Sequence, residues 1–245
     1  MQNSLLESRA SAGDVAAQIA LARELRALGD LETAERWLRQ AAAGGTTEAV
    51  AELGLQLYLA PPPSSPEISA EGTRLLTQAA YAGHASSAHM AALIAIHDSQ
   101  TPDPWRPGLE LAARAAADGY RLAQLALAFL SFNSQLMRSP DMGRLGLATW
   151  QQLAGQILGA PLLTELPALR PLCRAPQIQV AEGFLPPGLC DWIIGRAGPG
   201  LRKSGGGYLP QAGGANIRTN SEVEYGFHQL DLVHAVVRHR IARLN

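Results

Sequence analysis

The sequence predicts a mainly α protein, a solenoid of helical hairpins followed by a small α+β segment, and three observations carry that expectation. Up to about residue 160 the apolar positions recur at helical spacing in alanine-rich sequence. Aromatic residues make up only 5% of the 245, a composition that suits closely packed helices better than stacked sheets. Within the same region RQAAAGGT (39–46), TQAAYAGH (77–84) and ARAAADGY (113–120) align, which puts Gly45, Gly83 and Gly119 in register at separations of 38 and 36 residues. That period belongs to arrays of helical hairpins. From Gln177 to Phe184 the period changes to alternation, and a short strand is expected there.

Residues 1–13 form an N-terminal segment, and the repeats occupy 14–160. The first helices of the units align as AQIALA (17–22), AVAELG (49–54), AHMAAL (88–93) and AQLALA (123–128). Each unit reads as helix, connection, helix and glycine stop. Alanine lets two helix backbones approach, and Leu21, Leu25, Leu53, Leu57 and Leu127 fill the remaining space. A glycine at the end of each unit supplies the left-handed residue that closes one helix and lets the next begin. The fourth unit loses the pattern after Met137, as a terminal capping unit can.

Two proline-rich inserts, APPPSSPEIS (60–69) and TPDPWRPG (101–108), interrupt the units and are expected to be exposed connections without helix. Trp105, held between prolines, is the candidate anchor for a partner peptide, against the plainer reading of a tolerated loop. The segment 161–176, with prolines at 161, 167, 171 and 176, reads as the linker to residues 177–245. Pro186 and Pro187 then open a helix with Leu189, Trp192, Ile193 and Ala197 on its apolar face, and Gly198-Pro199-Gly200 closes it. A glycine-rich loop follows from Gly205 to Gly214. The last helix spans about Asp231 to Leu244, its stripe set by Leu232, Val236, Val237 and Ile241, with Arg238, Arg240 and Arg243 on a solvated face.

Composition bounds the function. A net charge of −1 offers no field for nucleic acid or an anionic membrane. With no apolar run of membrane-spanning length and no secretory leader pattern, a cytoplasmic protein is expected. Cys173 and Cys190 make no disulfide framework, and Cys190 reads as a small buried hydrophobe. His234 and His239, five apart on one helix, point roughly 140° away from each other and cannot share an ion. The glycines of GRAGPG (195–200) and KSGGG (203–207) lack the order and context of nucleotide-binding loops. No G-x-S-x-G supports a serine nucleophile.

AELGLQLYL (51–59) and ETAERWLRQAAAGG (32–45), with their A-x-x-x-L-G/A opening and A-A-x-x-G ending, resemble Sel1-like repeats of the tetratricopeptide-like class. That resemblance implies binding of a protein or peptide by the array. Farther on, the order of strand, FLPPGLCDWII helix, glycine-rich loop, Arg218-Thr219-Asn220 and a helix ending V-V-x-x-R-I-A resembles the opening part of prolyl 4-hydroxylase-like oxygenases. The matching positions are Phe184, Leu185, Cys190, Trp192, Ile193, Arg218, Thr219, Val236, Arg240 and Ile241, and Asn220 stands where the family usually has serine. The resemblance implies the start of a double-stranded β-helix domain. A full-length member would hydroxylate a protein or peptide side chain with Fe(II), 2-oxoglutarate and ascorbate. It also puts Tyr208, Arg218 and Thr219 in a loop near the substrate. None of His84, His89, His97, His228, His234 and His239 is followed two positions later by Asp or Glu, so the His-x-Asp pair of the family is not found. The family's basic residue for the 2-oxoglutarate carboxylate falls beyond the matched region. The chain is therefore expected to be a truncated, inactive form with no cofactor and no catalytic residue of its own. The alternative is a non-enzymatic adaptor built on the array.

Overall fold

The computed structural model describes residues 2–61, 65–98, 103–203 and 221–244. The fold is mainly helical, with thirteen α-helices and two small two-stranded antiparallel sheets among the described residues. The chain divides into two compact units, Met1–Leu158 and Gly159–Asn245.

The first unit holds α1 (Gln2–Ser11), α2 (Val15–Ala27), α3 (Leu31–Ala43), α4 (Thr47–Tyr58), α5 (Pro66–Tyr81), α6 (Ala85–Asp98), α7 (Trp105–Ala117) and α8 (Arg121–Leu130). A short α9 (Ser134–Met137), a 3-10 turn (Met142–Arg144) and α10 (Leu147–Leu158) complete it. Each helix from α1 to α8 packs on its successor, and α10 packs on α7 and α8. Residues 1–13 are thus more than a leading segment: α1 covers α2, with Ala10 fully buried.

The turns between helices repeat one hydrogen-bond pattern. After α1, α2, α5 and α7 a residue with positive φ, Gly13, Gly29, Gly83 or Gly119, donates three residues back, to Ala10, Arg26, Ala80 and Ala116 in turn. The next residue donates five back, from Asp14, Asp30, His84 and Tyr120 to Arg9, Leu25, Ala79 and Ala115. This pair of bonds takes up carbonyls that a helix end leaves orphaned. The residue that makes the second bond also opens the next helix: Asp14 caps Ala17, Asp30 caps Thr33, and the His84 ring accepts from Ser87 N–H. Gly45 has the same positive φ, and Thr46 after it caps α4.

Two proline-rich inserts differ from expectation. Proline excludes helix only beyond its first turn. Pro66 therefore serves as the first residue of α5, and α7 begins at Trp105 with Pro107 inside its first turn, where an N–H has no intrahelical partner to lose.

In the second unit α11 (Pro161–Thr164) and β1 (Leu169–Arg174) replace the expected linker. Strand β1 pairs antiparallel with β2 (Gln177–Ala181), with a register shift between Pro171 and Cys173, so the predicted strand has a partner. After them come α12 (Pro187–Ala197), a 3-10 turn (Gly198–Gly200), β3 (Arg202–Lys203), its partner β4 (Ser221–Glu222), a 3-10 turn (Phe227–Gln229) and α13 (Leu232–Ala242).

Candidate functional site

In the first unit, first helices of neighbouring hairpins meet first helices, and second helices meet second helices. Arg23 and Arg26 of α2 pair with Glu52 of α4 at 2.6 and 3.1 Å, and Arg23 also reaches Glu48. Glu48 lies 3.4 Å from the His84 ring at the start of α6, and His89 of α6 stacks on Tyr120 at the start of α8. On the other side Arg39 of α3 grips Glu71 of α5 through two bonds of 2.8 and 2.9 Å, and Arg114 of α7 lies over the Tyr81 ring of α5. The Arg39 guanidinium holds the Glu71 carboxyl below the usual carboxylate range. A cleft of about 60 Å³ opens beside α4 and α6, lined by Ala51, Leu55 and Met90 together with Glu52, His84 and Ser86. Its lining mixes apolar and polar side chains, as small-molecule and side-chain pockets do.

Trp105 does not occupy an exposed loop. It is 4% exposed at the first position of α7, among Gly108, Leu109 and Ala112 of the same buried helix face. Burying an indole removes more apolar surface from water than any other side chain at that position could. Tyr208, Arg218, Thr219 and the loop Gly205–Gly214 lie outside the described residues.

In the second unit several residues of the oxygenase-like pattern meet. Asp231, fully buried, caps α13 by accepting from Val233 and His234 N–H at 2.9 and 3.1 Å. Its other oxygen accepts from Trp192 Nε1 at 3.0 Å, with Arg196 Nε 3.7 Å away. His234 Nδ1 lies 2.8 Å from Asp231, and since a carboxylate only accepts, that nitrogen carries the proton. Burial pushes the Asp231 carboxyl up, but the bonds from His234, Trp192 and the backbone outweigh it and leave it below its ordinary value.

Arg240 departs most from the sequence reading. It is 5% exposed and donates to the carbonyls of Phe184 (2.9 Å), Leu162 (2.6 Å) and Glu165 (2.8 Å), with its guanidinium over the Phe184 ring. Arg243 donates to Leu163 and Thr164, and His239 Nε2 lies 3.3 Å from Leu163 O. The short α11 leaves its carbonyls unpaired, and these side chains of α13 take them up. Arg240 leaves the expected solvated face to satisfy three carbonyls, while Arg238 and Arg243 stay exposed. The apolar stripe also differs: Leu232, Val233 and Val236 are buried, while Ile241 is 50% exposed. On α12 Leu189 is buried and Ile194 is 66% exposed; Cys190 is half-buried.

Neither a protein-family model, nor a curated protein, nor a solved structure matches this chain. Among the described residues no three His, Cys, Asp or Glu side chains gather as an iron centre requires. They do not fit that metal, and no iron-dependent step is assigned to them. No described helix is long and apolar enough to cross a membrane.

Proposed function

We propose that the chain is a protein-binding adaptor in which residues 14–160 form a solenoid of Sel1-like hairpins. The observation that carries this reading is the recurrence of one turn device where units meet, at Gly13, Gly83 and Gly119, each followed by the residue that opens the next helix. A unit that ends and restarts in the same way each time adds hairpins in one direction, and such arrays present extended surfaces for a peptide. The α4–α6 cleft is the anchor on that surface. Peptides selected from a displayed library on the full chain are expected to lose about tenfold or more in affinity with Leu55→Glu, about the 1.4 kcal/mol that one filled small pocket supplies. They should bind unchanged with Arg39→Gln on the opposite helices. Selected peptides indifferent to Leu55→Glu would sink the reading.

A second reading, membership of the prolyl 4-hydroxylase-like oxygenase lineage, is favoured by the second unit. Phe184 and Arg240, two of its matching positions, bond to each other, and a third, Trp192, reaches the cap of the helix that carries Arg240. In that reading the array recruits the protein whose side chain is hydroxylated. With no His-x-Asp pair in the sequence, the purified chain is expected to show no iron-dependent decarboxylation of 2-oxoglutarate. Turnover that follows the purified chain, and disappears with a chelator, would show that the ligands come from residues outside the family pattern.

A further inference from the structure

Strands β1 and β2 form a sheet of two, and among the described residues no third strand continues it. Such a ribbon is marginal in water by itself, where three or more strands with an apolar face hold together. Every residue of β1 is exposed, as are Gln177, Ile178 and Gln179 of β2, and the apolar side chains left in water include Leu169, Leu172 and Ile178. The two outer edges differ. Strand β1 has a proline, Pro171, two charged residues, Arg170 and Arg174, and an extra residue at Leu172 where the register shifts. Proline, charge and bulges are the means by which an edge strand resists further pairing. Strand β2, Gln177-Ile178-Gln179-Val180-Ala181, has none of them, and its β-branched residues suit a sheet interior. One edge is guarded against a further strand and the other is open.

We propose that the open edge of β2 pairs with β2 of a second copy of this chain, antiparallel about Gln179, to make a four-stranded sheet. The sequence of the strand selects this occupant. Turned about its central residue the strand matches itself: Ile178 falls opposite Val180 of the second copy, β-branched against β-branched, and Gln179 falls opposite Gln179, where an amide both donates and accepts. No charge lies on the strand, so its own copy brings no repulsion to the edge. The copy also places its guarded β1 edge on the outside, so the assembly closes at two chains instead of growing into a fibre. With 5 residues on each side, against about 20–30 in a standard interface, the contact is of the transient kind. It does not rest on the array reading.

The test is sedimentation of the full chain from about 5 to about 500 μM, where a monomer–dimer equilibrium with a Kd of about 10–100 μM is expected. Two double variants check the register. Ile178→Glu with Val180→Glu sets like charges opposite each other twice and is expected to weaken association about tenfold or more, while Ile178→Lys with Val180→Glu sets opposite charges there and should keep it within about threefold. Both carry the same change at Val180, opposite Arg170 within the hairpin, so a fault in folding caused by that change would appear in both. A cross-link locates the axis without added charge. In a chain with Cys173→Ser and Cys190→Ser, Gln179→Cys is expected to give a disulfide-linked dimer on oxidation. Gln177→Cys is not, because the offset of four residues holds those two Cα atoms about 14 Å apart, beyond the reach of a disulfide. A chain that sediments as a monomer throughout, a like-charge variant that associates as tightly as the opposite-charge one, or cross-linking no better at Gln179 than at Gln177 would overturn the assignment.

Discussion

Phe132 is the one described non-glycine residue with positive φ, at 57°, and it is 70% exposed. Its turn copies the one at Gly29. Phe132 N–H donates to Phe129, Asn133 N–H donates to Ala128, and Asn133 then caps the following helix, as Asp30 does after Gly29. The backbone therefore asks for a glycine where the sequence has a phenylalanine. A left-handed non-glycine residue costs about 1–2 kcal/mol, of which glycine's greater freedom in the unfolded chain takes back a part. Phe132→Gly is expected to stabilise the first unit by about 0.5–1 kcal/mol in urea unfolding, while Phe132→Ala should bring no such gain. The glycine stops were legible in the sequence because glycine is the residue type that such turns select. Phe132 was not, since the hydrogen bonds around it impose a conformation that its side chain disfavours. Arg240 was hidden by its residue type for a similar reason. It stands four residues after Val236 and eight after Leu232, on the buried face by spacing, yet arginine is read as exposed unless its acceptors are known.

At the scale of helices, two hairpins close on small residues at matching positions. Gly54 and Gly72 bring α4 and α5 together so closely that a Cβ on Gly72 would stand 2.5 Å from Tyr58 N and 2.8 Å from Gly54 O. In the next hairpin a Cβ on Gly108 of α7 would meet Ile96 Cγ1 at 2.3 Å and Ala92 O at 3.0 Å of α6. Gly72 and Gly108 each lie eleven residues before a turn glycine, Gly83 and Gly119, and Ala34 occupies that place before Gly45. This register was present in the sequence, but a glycine inside a helix ordinarily lowers helix propensity and gives no sign of what it touches. Gly72→Ala must push two backbones apart and is expected to destabilise the first unit by about 2 kcal/mol in chemical unfolding. Gly155 of α10 provides the contrast, because a Cβ there meets nothing within 4 Å. Gly155→Ala should stabilise by about 0.5–1 kcal/mol, since only helix propensity changes. If the two substitutions shift the midpoint alike, close packing of α4 on α5 is not what requires Gly72.

Over the whole molecule, the two units should respond differently to acid. Burial lowers the pKa of His239 below its ordinary value of 6.5, and the neighbouring Arg243 and Arg240 add to the shift. The unfolded chain then takes up this proton more readily than the folded one, so the contribution is complete above pH 6.5 and declines as pH falls from there to the folded pKa. Asp231, also lowered, contributes fully above its ordinary 3.8 and loses that contribution as pH falls through its folded value. In the first unit Glu71, lowered by Arg39, behaves in the same way below 4.5. Hydrogen exchange followed from pH 7.5 to 5.5 is expected to show α13 losing protection while α4 and α5 keep theirs, with His239→Gln removing the difference. Equal loss in both units would mean that His239 is not the group responsible. Periodicity and turn chemistry are local properties, so the helices, their glycine stops and the short strand at 177 could be read along the chain. Which side chains become buried donors depends on carbonyls supplied by distant segments. Leu162 and Glu165 lie more than seventy residues before Arg240, and Asp231 takes the indole of Trp192 from another helix. No spacing rule links such positions, so those partnerships exist only once α11, α12 and α13 are folded together.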